Sequence, residues 1–164
     1  MGYFDRPRLY LQTDYRLDRK MNKSGCAIRS LIAVPEIFLR KRLEIVDIEE
    51  IAIQSLDMGY IDPDYTFHKP GKIVELAYEK YGKEVTCYDI ATRKGSKTHY
   101  YKWVQASGIY DHTFTLLKWK TDGEQGMHFT LGDKDGKEIF DPYPVDVHKV
   151  LEYEILMRLI DEGV

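Results

Sequence analysis

Apolar positions recur at three- and four-residue spacing through the first half of the chain and at two-residue spacing through much of the second. From Ser24 onward, Ile28, Leu31, Ile32 and Val34 share one helical face. Ser24 suits the N-cap, which sets Cys26 in or just before the first turn. Pro35 predicts a kink or a fresh start, with a helix over about residues 36–42. Residues 47–58 repeat the pattern in Ile48, Ile51, Ala52 and Leu56, with Asp47 as N-cap, Glu50 closing an acidic capping box and Gly59 as the stop. Residues 70–81 predict a third helix, with Ile73, Val74, Ala77 and Tyr78 turned inward and Gly82 as its cap. Between them, residues 61–69 lie irregularly between Pro63 and Pro70. Ahead of all this, residues 10–13 read as a short strand or extended lead-in, and residues 14–23 as a polar loop.

Past residue 82 the period changes. Residues 83–90 and 112–120 alternate and predict strands. Residues 127–131 and 138–140 form a further strand pair, because Asp135-Gly136 between them favours a tight turn and Pro142 removes a ladder donor after them. Residues 99–105 suit a short helix or a strand, and residues 92–97 form a basic, glycine-containing loop. Residues 147–162 close the chain with an amphipathic pattern, Val150, Leu151, Ile155, Leu156 and Leu159, that predicts a helix. Helices first and strands afterwards is an α+β order: N-terminal helices on a C-terminal antiparallel sheet, followed by a C-terminal helix.

At 164 residues the chain suffices for one domain, residues 1–164, with a proper core. A net charge of −3 gives no electrostatic case for nucleic acid. No apolar run approaches a membrane span, and Met1-Gly2-Tyr3-Phe4-Asp5-Arg6 lacks an apolar signal core, so a cytoplasmic, non-membrane protein is expected. Two cysteines, Cys26 and Cys87, fit free thiols better than a disulfide framework. The five histidines show no zinc spacing, and no phosphate- or dinucleotide-binding glycine motif is present, so no metal and no cofactor are expected.

Four residues suggest chemistry. The strand pair can bring His128 beside Asp141, whose carboxylate would fix the imidazole tautomer and leave the other ring nitrogen as a base. Cys26, at a helix N-terminus where unpaired N–H groups favour a thiolate, is the nucleophile such a base would activate. Gln12 offers a side-chain amide to an oxyanion, together with the Cys26 backbone N–H. Taken singly, each has a plainer reading: Cys26 and His128 as packed core residues, Asp141-Pro142 as a strand-ending turn, Gln12 as any strand-end glutamine. Cys87, in an alternating strand, reads as core.

The order Gln12, Gly25-Cys26-Ala27-Ile28-Arg29-Ser30-Leu31, His128-Phe129-Thr130-Leu131, Asp141-Pro142 resembles the papain-like cysteine peptidases, closest to the bacteriocin-leader-processing, double-glycine branch. Ala27 and Ile28 stand where that branch has Gly and Pro. The resemblance implies a papain-like fold, a Cys26–His128–Asp141 triad assisted by Gln12, and a peptide or cell-wall peptide substrate. Two other readings stand beside it: a papain-fold binding or phage-associated accessory protein without turnover, and acyl transfer of the arylamine acetyltransferase or transglutaminase kind. Oligomeric state is not readable from the sequence.

Overall fold

A computed structural model describes residues 8–93, 112–123, 126–144 and 148–161. It comprises four helices, α1 (Arg19–Ser24), α2 (Cys26–Phe38), α3 (Ile45–Asp57) and α4 (Pro70–Glu79), and five strands, β1 (Val85–Arg93), β2 (Thr113–Thr121), β3 (Met127–Asp133), β4 (Glu138–Phe140) and β5 (Lys149–Asp161). The strands form one antiparallel sheet in the order β1-β5-β2-β3-β4. The helical half followed by an antiparallel sheet is the α+β arrangement that the change of period predicts.

Helix α2 is the centre of the molecule. Every residue from Cys26 to Glu36 is buried. One side meets the sheet, where Phe38 packs edge-on against Phe114, 6.2 Å between centroids, and the Ser30 hydroxyl points to the Phe129 carbonyl at 3.5 Å. Ile28, Leu31 and Ile32 fill the core with Leu116 and Leu131 of the sheet. A helix wholly buried on all sides gains its stability from packing rather than from a solvent-facing polar stripe.

Several predicted boundaries are corrected. The polar stretch before Cys26 is not all loop: Asp18 caps α1 by accepting the Lys20 N–H at 2.7 Å, and only Met21 of that helix is buried, so no apolar period announces it. Ser24 therefore ends α1, and Gly25 rather than Ser24 stands at the N-cap of α2. Pro35 neither stops α2 nor starts a new helix. The chain stays helical to Phe38 and then leaves at Arg40, where φ is +57°. Helix α3 starts at Glu44, not Asp47; the Asp47 carboxylate reaches back to the Glu44 N–H at 3.2 Å. Residues 10–13 run as a lead-in outside any strand. Gly59 and Gly82 both take positive φ after their helices, as stop positions require.

The largest correction is at the C-terminus. The predicted helix over residues 147–162 is the strand β5, hydrogen-bonded between β1 and β2. Being central, β5 is buried on both faces: Ile155, Met157 and Leu159 join the main core, while Glu154 and Leu156 are buried opposite. A strand covered on both sides loses strict alternation, and its apolar run then imitates helical spacing. Val150, placed inward by the helical reading, is exposed. Thr92 and Arg93, read as the start of a loop, continue β1 by pairing with β5; residues 94–97 and 99–105 lie outside the described residues. Among the described residues no helix is long and apolar enough to cross a membrane.

Helix α4 lies tight against β1. A Cβ added at Gly71 would sit 2.5 Å from the Cys87 carbonyl oxygen, a backbone atom that cannot swing aside. Gly71→Ala should therefore destabilise the protein by about 1–3 kcal/mol, the usual range for overpacking. A lowered urea midpoint with an unchanged slope is the expected result; an unchanged midpoint would show that α4 is not held this closely.

Candidate active site

The first turn of α2 presents Cys26, the start of β3 presents His128, and the turn after β4 presents Asp141. They converge. His128 Nε2 lies 2.6 Å from Asp141 Oδ1, and the Cys26 sulfur is close enough to the same imidazole to favour its protonated form. With Nε2 held by the carboxylate, Nδ1 is the ring nitrogen left for the sulfur. At His128, β3 pairs only with β2, through Trp119, because β4 joins β3 further along, at Leu131 and Gly132.

Asp141 is itself fixed. In the sequence Asp141-Pro142-Tyr143 its Oδ1 also accepts the Tyr143 N–H at 2.9 Å, an aspartate turn that aims the carboxylate back along the chain. The Tyr143 ring stands edge-on to the imidazole at 6.5 Å between centroids. Lys149 Nζ lies 4.0 Å from the second carboxylate oxygen, while bonding Glu138 at 2.9 Å.

These contacts set the charges. Burial disfavours protonated His128, but the Asp141 carboxylate and the Cys26 sulfur outweigh it and raise the imidazole to about 9. Burial also raises Asp141, and His128, the Tyr143 N–H and Lys149 outweigh that, holding the carboxyl below its ordinary range. Around neutral pH the pair is an imidazolium facing a carboxylate, with the Cys26 sulfur alongside.

Gln12 is held close to these elements but aimed differently from the prediction. Its backbone N–H donates to the Pro142 carbonyl at 3.1 Å, tying the lead-in to the Asp141 turn. Its side chain is buried, and Nε2 donates over long distances to the carbonyls of Asn22 (3.3 Å) and Met21 (3.5 Å) at the end of α1. The Asn22 amide returns the bond to the Gln12 carbonyl at 2.6 Å. Oε1 is buried with no partner among the described residues. The amide donors thus point at α1, and the first-turn N–H groups of α2 are donors that lack intrahelical acceptors.

Cys87 lies in β1 as a core residue. Burial, with Asp89 and Glu75 adding to it, pushes its thiol up. Cys26 and Cys87 are almost equally buried, 6% and 8% exposed, so they differ chiefly in the imidazole beside Cys26. Among the described residues no three His, Cys, Asp or Glu side chains cluster in a way suited to a metal ion.

The sequence reading missed one feature near the site. Arg29 and Glu36 of α2 form a fully buried ion pair, Nη1 to Oε1 2.6 Å. The signal was present, as two charges seven residues apart within an otherwise apolar run, but ending the helix at Pro35 placed Glu36 on another element. Tyr143 and Lys149 were also overlooked; nothing in their local sequence marks them.

Comparison with known protein families, curated proteins and solved structures finds no match to this chain.

The elevated imidazole has a consequence for stability. Below pH 6.5, the ordinary histidine value, the folded and unfolded chains both hold the His128 proton and its contribution is complete; it is lost as pH rises through about 9. The difference in urea midpoint between the wild type and His128→Gln, followed from pH 5.5 to 10, should be largest at the acid end and shrink across that window. A difference that stays level or grows with pH would mean that Asp141 and Cys26 do not hold the proton on His128.

Proposed function

We propose that this chain is a thiol hydrolase of papain-like fold that cleaves an amide bond in a peptide or a peptidoglycan crosslink. The observation that carries the reading is the meeting of two groups at one imidazole: the Cys26 thiol from a helix N-terminus on one side, and Asp141 at 2.6 Å on the other. The order of these residues along the chain, and an α+β architecture with the cysteine on the central helix, support it further.

The chemistry follows from the roles the positions allow. His128 holds the proton on Nδ1 as the imidazolium, Asp141 stabilises that imidazolium through Nε2, and Cys26 reacts as the thiolate paired with it. The thiolate attacks the amide carbonyl carbon. The oxyanion that forms faces the N-terminal end of α2, where backbone N–H groups and the helix dipole favour negative charge. Gln12 joins them if its long bonds to the α1 carbonyls are released. The imidazolium then protonates the departing amine, leaving an acyl thioester on Cys26. Water, deprotonated by His128, cleaves that thioester and restores the thiolate–imidazolium pair.

Thiol alkylation tests this directly, because the two cysteines are matched in burial. Near neutral pH, Cys26 should react with iodoacetamide at least roughly tenfold faster than Cys87, as a thiolate–imidazolium pair requires. His128→Ala should remove the advantage, and Asp141→Ala should reduce it less, since Asp141 orients rather than accepts the proton. Incubation with a mixed peptide digest should yield cleavage products that Cys26→Ser abolishes. If Cys26 labels no faster than a free thiol and losing His128 changes nothing, the proposed function fails.

A further inference from the structure

Arg29 is fully buried, three residues after Cys26 on the same helix. Its Nε donates to the Tyr10 carbonyl at 2.7 Å, its Nη1 to Glu36 at 2.6 Å, and its guanidinium lies 5.5 Å from the centre of the Phe140 ring. Nη2 is buried with no partner among the described residues. The second Glu36 oxygen accepts the Leu43 N–H at 3.0 Å. These contacts reach the chain segments that carry the site: Tyr10 stands two residues before Gln12, Arg29 three after Cys26, and Phe140 one before Asp141.

A buried ion pair is weak grounds for stability, since apolar residues of similar size often do as well. Such a pair, placed where the site's segments meet, therefore calls for another role. The guanidinium supplies it: a rigid, planar fork holds several partners at fixed angles, which an apolar side chain or a lysine does not. We infer that Arg29, locked by Glu36, is the positioning residue of the site: it fixes the lead-in carrying Gln12, the start of α2 carrying Cys26 and the β4 turn carrying Asp141 relative to one another. This rests on the proposed function for its catalytic meaning, but the geometric statement has its own readout. The groups facing His128 are Asp141 and Cys26, with Lys149 behind Asp141. Any shift of α2 against β4 must therefore alter the titration of that imidazole.

The test is the doubly substituted Arg29→Met, Glu36→Leu protein, which keeps volume and removes both charges. Near-UV circular dichroism and urea unfolding should show it folded. The His128 ring proton signal should then titrate at least roughly one unit closer to an ordinary histidine than in the wild type, and Cys26 alkylation should slow by roughly tenfold or more, the scale on which small misplacements act. Arg29→Lys, which keeps the charge without the fork, should shift both readouts in the same direction, and it decides the matter if the double variant does not fold. A folded variant with wild-type His128 titration and wild-type Cys26 alkylation overturns the inference. Absence of His128-dependent alkylation in the wild type would instead defeat the hydrolase reading, and the titration would still judge the positioning role.

Discussion

The fold turns on a charge pair with no access to water. Arg29 and Glu36 lie on the helix against which α1, α3, α4, β2 and β3 pack, and neither side chain is exposed. Leaving either charge alone at that depth costs about 3–5 kcal/mol. Pro35 has no N–H for the Leu31 carbonyl, yet α2 continues past it. The Arg29–Glu36 bridge joins the helix on either side of that proline, and Glu36 goes on to fix Leu43 at the approach to α3. Loss of the pair would loosen the last turn of α2 and the lead-in at Tyr10 together.

What the helix positions is an electrostatic sequence with a direction. A carboxylate held low by two donors and a nearby lysine charge faces an imidazole held high by that carboxylate and by a sulfur. Each charge is favoured by the next, and the arrangement ends at a helix N-terminus, which favours a negative sulfur. Burial alone would oppose both ionised states. Their prevalence here comes from direct bonds, the 2.6 Å contact above all, reinforced by the Asp141-Pro142-Tyr143 turn that leaves the carboxylate little freedom. Cys87, buried to a similar degree but without an imidazole, shows what burial does when unopposed.

Much of this was legible in the sequence, for physical reasons that also explain the misses. The helices over α2, α3 and α4 announced themselves because their buried faces keep a helical period, and β3 and β4 because Asp135-Gly136 sets their turn. Cys26, His128 and Asp141 were found through chemistry: few residue types can serve, and their order left little choice. Helix α1 escaped because it buries one residue, so that only its cap could reveal it. Strand β5 was misread because a strand inside a sheet is buried on both faces, so its central Ile155, Leu156 and Met157 run on without alternation and imitate an amphipathic helix. Gln12 was located correctly but its amide direction was not, since that depends on the α1 carbonyls, which lie on a helix the sequence did not disclose. The role of Arg29 was illegible for a similar reason: it depends on Tyr10 and Phe140, partners distant in sequence.

Whether Cys26 is an acyl acceptor is tested most directly by a single-turnover reaction with p-nitrophenyl acetate, quenched and read by peptide mass spectrometry. The expected result is a burst of p-nitrophenol equal to the protein present, with the acetyl group on Cys26 alone, labile to neutral hydroxylamine as a thioester must be, and absent from His128→Ala. Acetylation spread equally over Cys87 and surface lysines, or unchanged when His128 is removed, would contradict the assignment of these three residues to a thiol-based mechanism.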